Sequence, residues 1–522
     1  MRLLAWATTV LVSIALSLAG SPAGAVIPPG TTSLAGADVK LVGEPGGQAG
    51  FHVDQAGDLD DDGFQDVIVG AFLDPTTGPS AGAAYVLYGP VTPGALELGT
   101  DADAKLLAEF TGDFAAEGFA GIGDMDGDGF DDFVIGAPGR FPPVQPGIPA
   151  PGVAYLFYGG KERLSGTMSL GEADAKLVGE SNVDFAGLAV AGATDLDNDG
   201  FTDLVVSASR DSAGGSAAGA VYIIYGGDAR LSGTMSLAEA DAKLLGAPGD
   251  LAGFRLDRVG DLDGDDSEDL VIGAPATVGF GGSGVASTYV LYGTAERLSG
   301  TISLPQTAAR LVGEEPDDRP GFGLTGAGDL DRDGFDDLVV GADLEDTAGT
   351  NAGAAYVFYG RQDRLAGTVS LGTADAKLTG EAAGDRAGFD VSIAGDLDDD
   401  GFDELVVGAF GHDAAGTDAG AVYVFFIEDA RLSGLLSLSA ASTKLLGEAA
   451  GDSAGSAVGP AGDVTDDDTD DLMVGARFND AGGTNSGAVY VLFGVPEACG
   501  KGHDVNIDKP GHAGNHACDP EE

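Results

Sequence analysis

A seven-bladed, all-β propeller is the architecture this sequence predicts, and three observations lead to it. An Asp-rich segment recurs seven times, opening at Asp58, Asp124, Asp195, Asp261, Asp329, Asp396 and Asp463, at spacings of 66 to 71 residues. Every interval carries short runs rich in Val, Leu, Tyr and Phe bounded by Gly, which read as strands. Four such runs in about 67 residues match one four-stranded antiparallel blade, and seven blades close a ring.

The runs order each blade. In the fifth repeat DLVVGA, residues 337–342, reads as the second strand, GAAYVFYG, residues 353–360, as the third and KLTGE, residues 377–381, as the fourth. The run before each Asp cluster, such as AGFDVSIAG at 387–395, reads as the first. A lone blade leaves both faces wet, whereas a ring packs each sheet between two neighbours. KLVGE-like segments begin at Lys40, Lys105, Lys176, Lys243, Arg310, Lys377 and Lys444, so one precedes the first blade and none follows Gly494. Residues 39–44 are therefore expected to supply the outer strand of the last blade, joining the chain ends and removing an open edge; an open superhelical array is the rival reading. The propeller is expected over residues 31–494, as a monomer.

Composition narrows the partners. The 522 residues hold 84 acidic and 25 basic side chains, a formal charge of −59, so nucleic acid and anionic membranes are excluded as natural partners. A hydrophobic content of 43 % excludes a disordered polyelectrolyte, and 88 Gly exclude a helical bundle. Met1-Arg2, the apolar stretch 3–20 and Ala23-Gly24-Ala25 read as a secretion signal over residues 1–25, with an uncleaved anchor as the rival. No later stretch approaches the 18 or so apolar residues that cross a bilayer, so a secreted, extracellular or cell-surface chain is expected. The tail, 495–522, holds Cys499 and Cys518 with His503, His512 and His516. One disulfide, a Zn²⁺ site or a link to another chain are its three readings.

The Asp clusters read as Ca²⁺ loops. They are DLDDDGFQD, DMDGDGFDD, DLDNDGFTD, DLDGDDSED, DLDRDGFDD, DLDDDGFDE and DVTDDDTDD. Carboxylates on alternate residues of a tight turn converge on one hard cation, a carbonyl at position seven adds a neutral oxygen, and position nine closes the shell. The expected ligands are Asp58, Asp60, Asp62, Phe64 and Asp66 in blade one; Asp124, Asp126, Asp128, Phe130 and Asp132 in blade two; and Asp195, Asp197, Asp199, Phe201 and Asp203 in blade three. Blade four offers Asp261, Asp263, Asp265, Ser267 and Asp269, blade five Asp329, Asp331, Asp333, Phe335 and Asp337, and blade six Asp396, Asp398, Asp400, Phe402 and Glu404. Blade seven keeps only Asp463, Asp467 and Asp471, with Thr465 at position three, so about six Ca²⁺ sites and a degenerate seventh are expected. An all-oxygen donor set favours Ca²⁺ over Zn²⁺ or copper. Gly at position six, present in five loops, supplies a positive φ; Asp266 and Asp468 replace it. The loops are not EF-hands, because Val69, Ile135 and Val340 stand where an EF-hand places its bidentate Glu.

These units resemble the FG-GAP repeat of integrin α-chain propellers. The FG element stands at Gly50-Phe51, Gly118-Phe119, Gly253-Phe254, Gly321-Phe322 and Gly388-Phe389, and GAP is complete at 136–138 and 273–275. The resemblance implies calcium between the first and second strands of a blade. It also implies ligand contacts on the opposite face, through loops joining strands two to three and four to one. On that face Asp184, Asp250, Asp318, Asp385 and Asp452 are expected to form an acidic circle for a cationic ligand, and Arg140-Phe141, in the Pro-rich stretch 140–152, a recognition loop.

The parts of familiar hydrolases are missing: the body holds only His52 and His412, and neither G-x-S-x-G nor HExxH occurs. The only Trp, Trp6, lies in the signal segment, which weakens a sugar-stacking reading. The sequence thus predicts a calcium-stabilised extracellular binding or adhesion module for a protein or polysaccharide. A carbohydrate-active hydrolase or lyase using propeller carboxylates is the alternative.

Overall fold

The computed structural model describes residues 27, 29–139, 151–193, 195–276, 284–294, 296–427 and 431–495. Seven sheets stand around a central channel, each with the four antiparallel strands the repeat predicts. In blade five these are Pro320–Gly326, Leu338–Ala342, Ala354–Phe358 and Ala376–Thr379. The second and third strands are buried along their length, which is why they read as continuous apolar runs rather than alternating ones.

Each sheet has a fifth strand that the four-strand reading missed. The link between the third and fourth strands crosses to the preceding blade and pairs in parallel with its outer strand, as Gly166–Ser169 does with Ala104–Leu107. The repeated GTMSL-like stretches carry this strand. Three or four mostly exposed residues leave little apolar signal, so periodicity alone passes over them. The clasp covers an edge that would otherwise stand open.

The ring closes as expected, and twice over. Val39–Val42 pairs antiparallel with Ala488–Leu492 as the outer strand of blade seven, and Gly30–Ser33 clasps Thr443–Leu446 of blade six. Close approach between blades needs glycine before the third strand: at Gly353, φ is +76° and a Cβ would lie 2.2 Å from the Ala387 carbonyl oxygen.

A polar belt runs through the same seams. One fully buried tyrosine sits in each third strand, Tyr85, Tyr155, Tyr222, Tyr289, Tyr356, Tyr423 and Tyr490. The cation of its own fourth strand lies over each ring, 5.1 to 5.7 Å from the centroid. That cation also pairs with a carboxylate of the preceding blade, as Lys176 does with Glu109 at 2.8 Å and Lys444 with Glu381 at 2.9 Å. Tyrosine hydroxyls donate to the same carboxylates, Tyr356 to Glu314 at 2.9 Å. Where the repeat has Ala247 in place of the glutamate, Arg310 replaces lysine and reaches Asp250 instead, at 3.3 Å.

The closing strand is packed like any other, since Leu41 and its counterpart Leu378 are both 0 % exposed. Leu41→Ala is therefore expected to cost about 2–5 kcal/mol, as Leu378→Ala does, in denaturant unfolding. An open array would make the change at Leu41 nearly silent.

Candidate metal centres

Each Asp loop links the first strand of a blade to the second and folds around its own first carboxylate. In blade five Asp329 accepts the N–H groups of Asp333 at 3.0 Å and Gly334 at 2.8 Å, and the other six loops repeat the pattern. The fifth carboxylate takes the N–H of residue seven, as Asp333 does from Phe335 at 3.1 Å. Position six has positive φ throughout, +92° at Gly334 and, without glycine, +65° at Asp266 and +67° at Asp468. Position four is left-handed as well, a requirement the sequence reading missed although Gly, Asn or Asp fills it in six loops; Arg332 is the exception.

The ninth carboxylate is fully buried and joins two segments. Asp337 accepts from Leu330 N at 3.0 Å and Gly360 N at 2.8 Å, and Asp66, Asp132, Asp203, Asp269 and Asp471 make the equivalent pair of bonds. Glu404, one methylene longer, keeps the bond from Leu397 at 2.7 Å while its Oε1 has no partner. Burial pushes these acids up, to about 7 for Asp66 and about 8 for Asp337, with the loop carboxylates adding to it against the N–H bonds. A divalent cation in the loop acts in the opposite sense.

Carboxylate oxygens converge within 4.8 Å in Asp58/Asp60/Asp62, Asp195/Asp197/Asp199, Asp261/Asp263/Asp265 and Asp329/Asp331/Asp333, and in blade two in Asp124/Asp126/Asp132. The third-position side chains Asp60, Asp197 and Asp263 are 7 %, 2 % and 3 % exposed, and the Oδ1 of each has no hydrogen-bond partner. Buried and unpartnered carboxylate oxygens on a converging all-oxygen set fit a hard divalent cation.

The loops also fasten blade to blade. Asp131, Asp336 and Asp470, at position eight, accept the first-position N–H of the preceding loop, at Asp58, Asp261 and Asp396, at 2.7 to 3.0 Å. Five arginines outside the loops also bind them, another feature the sequence reading missed although Arg-Leu-Ser/Ala-Gly recurs at 163, 230, 297, 364 and 431.

On the opposite face, the five aspartates of the expected acidic circle turn inward and are 1 to 5 % exposed. Each closes its own turn, as Asp250 does by accepting from Ala247 N at 3.0 Å and Asp385 from Ala382 N at 2.8 Å. Beside them lies a cluster that is aromatic and cationic, with Phe254 and Phe389 buried and its other members half-buried. Phe254, Phe322, Phe389 and Phe410 form an arc with successive centroids 5.1, 4.8 and 4.6 Å apart. Arg255, Arg319, Arg386 and Arg477 lie over these rings. Arg140-Phe141 and the Cys499/Cys518 tail lie outside the described residues, as does the segment 1–25.

The channel beneath the arc is a cavity of about 550 Å³ lined by Asp54, Arg255, Asp257, Arg258 and Asp390 of the first strands. Burial and then the Asp257 charge push Asp54 up to about 8.

Asp-rich loops on one face of a closed seven-blade ring are the arrangement that the resemblance to FG-GAP propellers implies. The FG-GAP repeat model matches residues 119–157, 186–224 and 323–358, in blades two, three and five. Among similar proteins, integrin alpha-V of Gallus gallus is 33 % identical over 161 residues, 30 % of this chain and 14 % of the integrin. Integrin alpha-IIb of Homo sapiens is 33 % identical over 158 residues, 29 % of this chain and 14 % of that protein. Phosphatidylinositol-glycan-specific phospholipase D of Rattus norvegicus is 35 % identical over 227 residues, 40 % of this chain and 24 % of the enzyme. The matches span less than a quarter of each relative's length. The chain thus carries FG-GAP repeats in a seven-bladed propeller, and in the matched segments it is similar to integrin α-chains.

The folded chain keeps the Asp54 proton up to about pH 8, whereas an unfolded aspartate releases it near 3.8. Folding thus retains a proton between these values, and stability falls as pH rises through the window. Asp54→Asn is expected to flatten part of that fall when unfolding free energies of both proteins are compared from pH 4 to 8.

Proposed function

We propose that the protein is a secreted, calcium-stabilised propeller that acts as an adhesion-type binding module outside the cell. The observation that carries this is the set of converging loop carboxylates whose inner oxygens are buried and without partners. First, third and fifth carboxylates would hold the ion, which supplies neutralisation: it screens the mutual repulsion that opposes packing the loops side by side. The similarity to integrin α-chains supports the binding role, and among the described residues no helix is long and apolar enough to cross a membrane. The arginine-capped aromatic arc is the proposed contact surface, because aromatic rings and arginine anchor interfaces most strongly. Among the described residues no catalytic constellation favours the hydrolase alternative, and the match to the phospholipase D covers 24 % of that enzyme.

Calcium titration of the purified chain is expected to raise the melting temperature, with about six ions bound at affinities on the order of 10⁻⁴ to 10⁻³ M. Asp329→Ala is expected to lose one ion and Asp463→Ala none. No stabilisation by any divalent ion would overturn the calcium reading. Calcium-loaded protein coated on a surface is expected to retain extracellular matrix protein or polysaccharide, and Arg319→Glu in the arc to abolish this without changing ion count.

A further inference from the structure

Arg163, Arg230, Arg297, Arg364 and Arg431 each stand three or four residues before the parallel strand by which their blade clasps the previous one. Each guanidinium bridges the loop of that previous blade. Nε meets the third-position carboxylate, Asp60, Asp126, Asp197, Asp263 or Asp331, and an Nη meets the fifth, Asp62, Asp128, Asp199, Asp265 or Asp333.

A tyrosine of the loop's own blade supports each arginine. Tyr88, Tyr158, Tyr225, Tyr292 and Tyr359 lie 4.6 to 5.0 Å from it. In four of the five the tyrosine oxygen accepts the N–H of the next residue, as Tyr158 does from Leu231 at 2.8 Å. At the other two blade boundaries Ile27 and Val91 occupy the arginine position and Phe426 and Phe493 the tyrosine position, so the two groups come and go together.

The contacts divide the carboxylates. The guanidinium takes Oδ2 of Asp60, Asp197 and Asp263, while Oδ1 of each is the buried oxygen without a partner. One fixed positive charge thus lies against two of the three converging carboxylates in blades one, three, four and five and against one of them, Asp126, in blade two, and at Asp60, Asp197 and Asp263 it leaves the other oxygen open.

We propose that the five arginines are built-in counter-ions of the cation loops. Each holds its loop together against its own charge when no metal is bound, lowers the affinity of that site for a divalent ion, and ties the site to the neighbouring blade. The affinity part rests on the calcium reading above; the metal-free part does not. A planar fork suits this task, since it satisfies two carboxylates at once and never loses its charge.

Arg230→Gln and Arg230→Lys in the full chain test it, read by thermal unfolding in chelator and by hydrogen exchange of the peptide covering residues 124–132 across a calcium titration. Arg230→Gln is expected to melt lower in chelator, and to protect the peptide at about tenfold less calcium, the size of a unit charge acting on a divalent ion at close range in a water-like dielectric. Arg230→Lys, which keeps the charge, is expected to stay near the wild-type midpoint. Calcium protection in Arg230→Gln alone, with none in the wild type, also supports the proposal. A wild type that binds calcium and an Arg230→Gln chain that binds it no more tightly overturns this proposal alone. An unchanged melting temperature in chelator overturns the metal-free role, and calcium protection in neither protein overturns the affinity role together with the calcium reading.

Discussion

At the start of the second strand in each blade stands a carboxylate that water does not reach, and two separate stretches of chain depend on it. In six blades it receives one N–H from the second residue of its own loop and one from the glycine two residues beyond the third strand. A buried acid of this kind is tolerated only when its oxygens are satisfied, so loop and strand are held in one geometry. The converging carboxylates inherit their positions from that anchor. Blade six shows the tolerance: Glu404 reaches one donor and leaves its other oxygen bare, while the loop around Asp396 keeps its shape.

Charge is the second constraint. The chain carries 84 acidic and 25 basic side chains, yet its cations are placed rather than scattered. Seven lie in the fourth strands, over the buried tyrosines and against the preceding blade. Five more bridge the loops. Both sets sit at blade boundaries, where seven acidic sheets are brought side by side and repulsion is greatest.

The exceptions show that these contacts act as units. Ala247 removes a carboxylate from the belt, and at the same boundary lysine becomes Arg310, long enough to find Asp250. Loss of the loop arginine at Ile27 and Val91 is accompanied by loss of the tyrosine hydroxyl at Phe426 and Phe493. Isolated substitutions would leave a buried polar group without its partner, which costs more than replacing both.

The repeat, the four principal strands of each blade, the closing strand at Val39–Val42 and the Asp loops were all legible in the amino-acid sequence. Each is written in local pattern: apolar runs between glycines, a fixed period, and carboxylates on alternate residues of a turn. The fifth strands escaped because three or four exposed residues show no burial pattern until a neighbouring blade supplies their partner. The aspartates at 184, 250, 318, 385 and 452 looked like an exposed ring because spacing does not reveal that each turn folds back onto its own carboxylate. Sequence by itself determined the propeller, its closure and the loops that carry the candidate cation sites. Only the tertiary structure decided which cations face which carboxylates, because Arg163 and Asp60 are 103 residues apart and meet only where two blades touch.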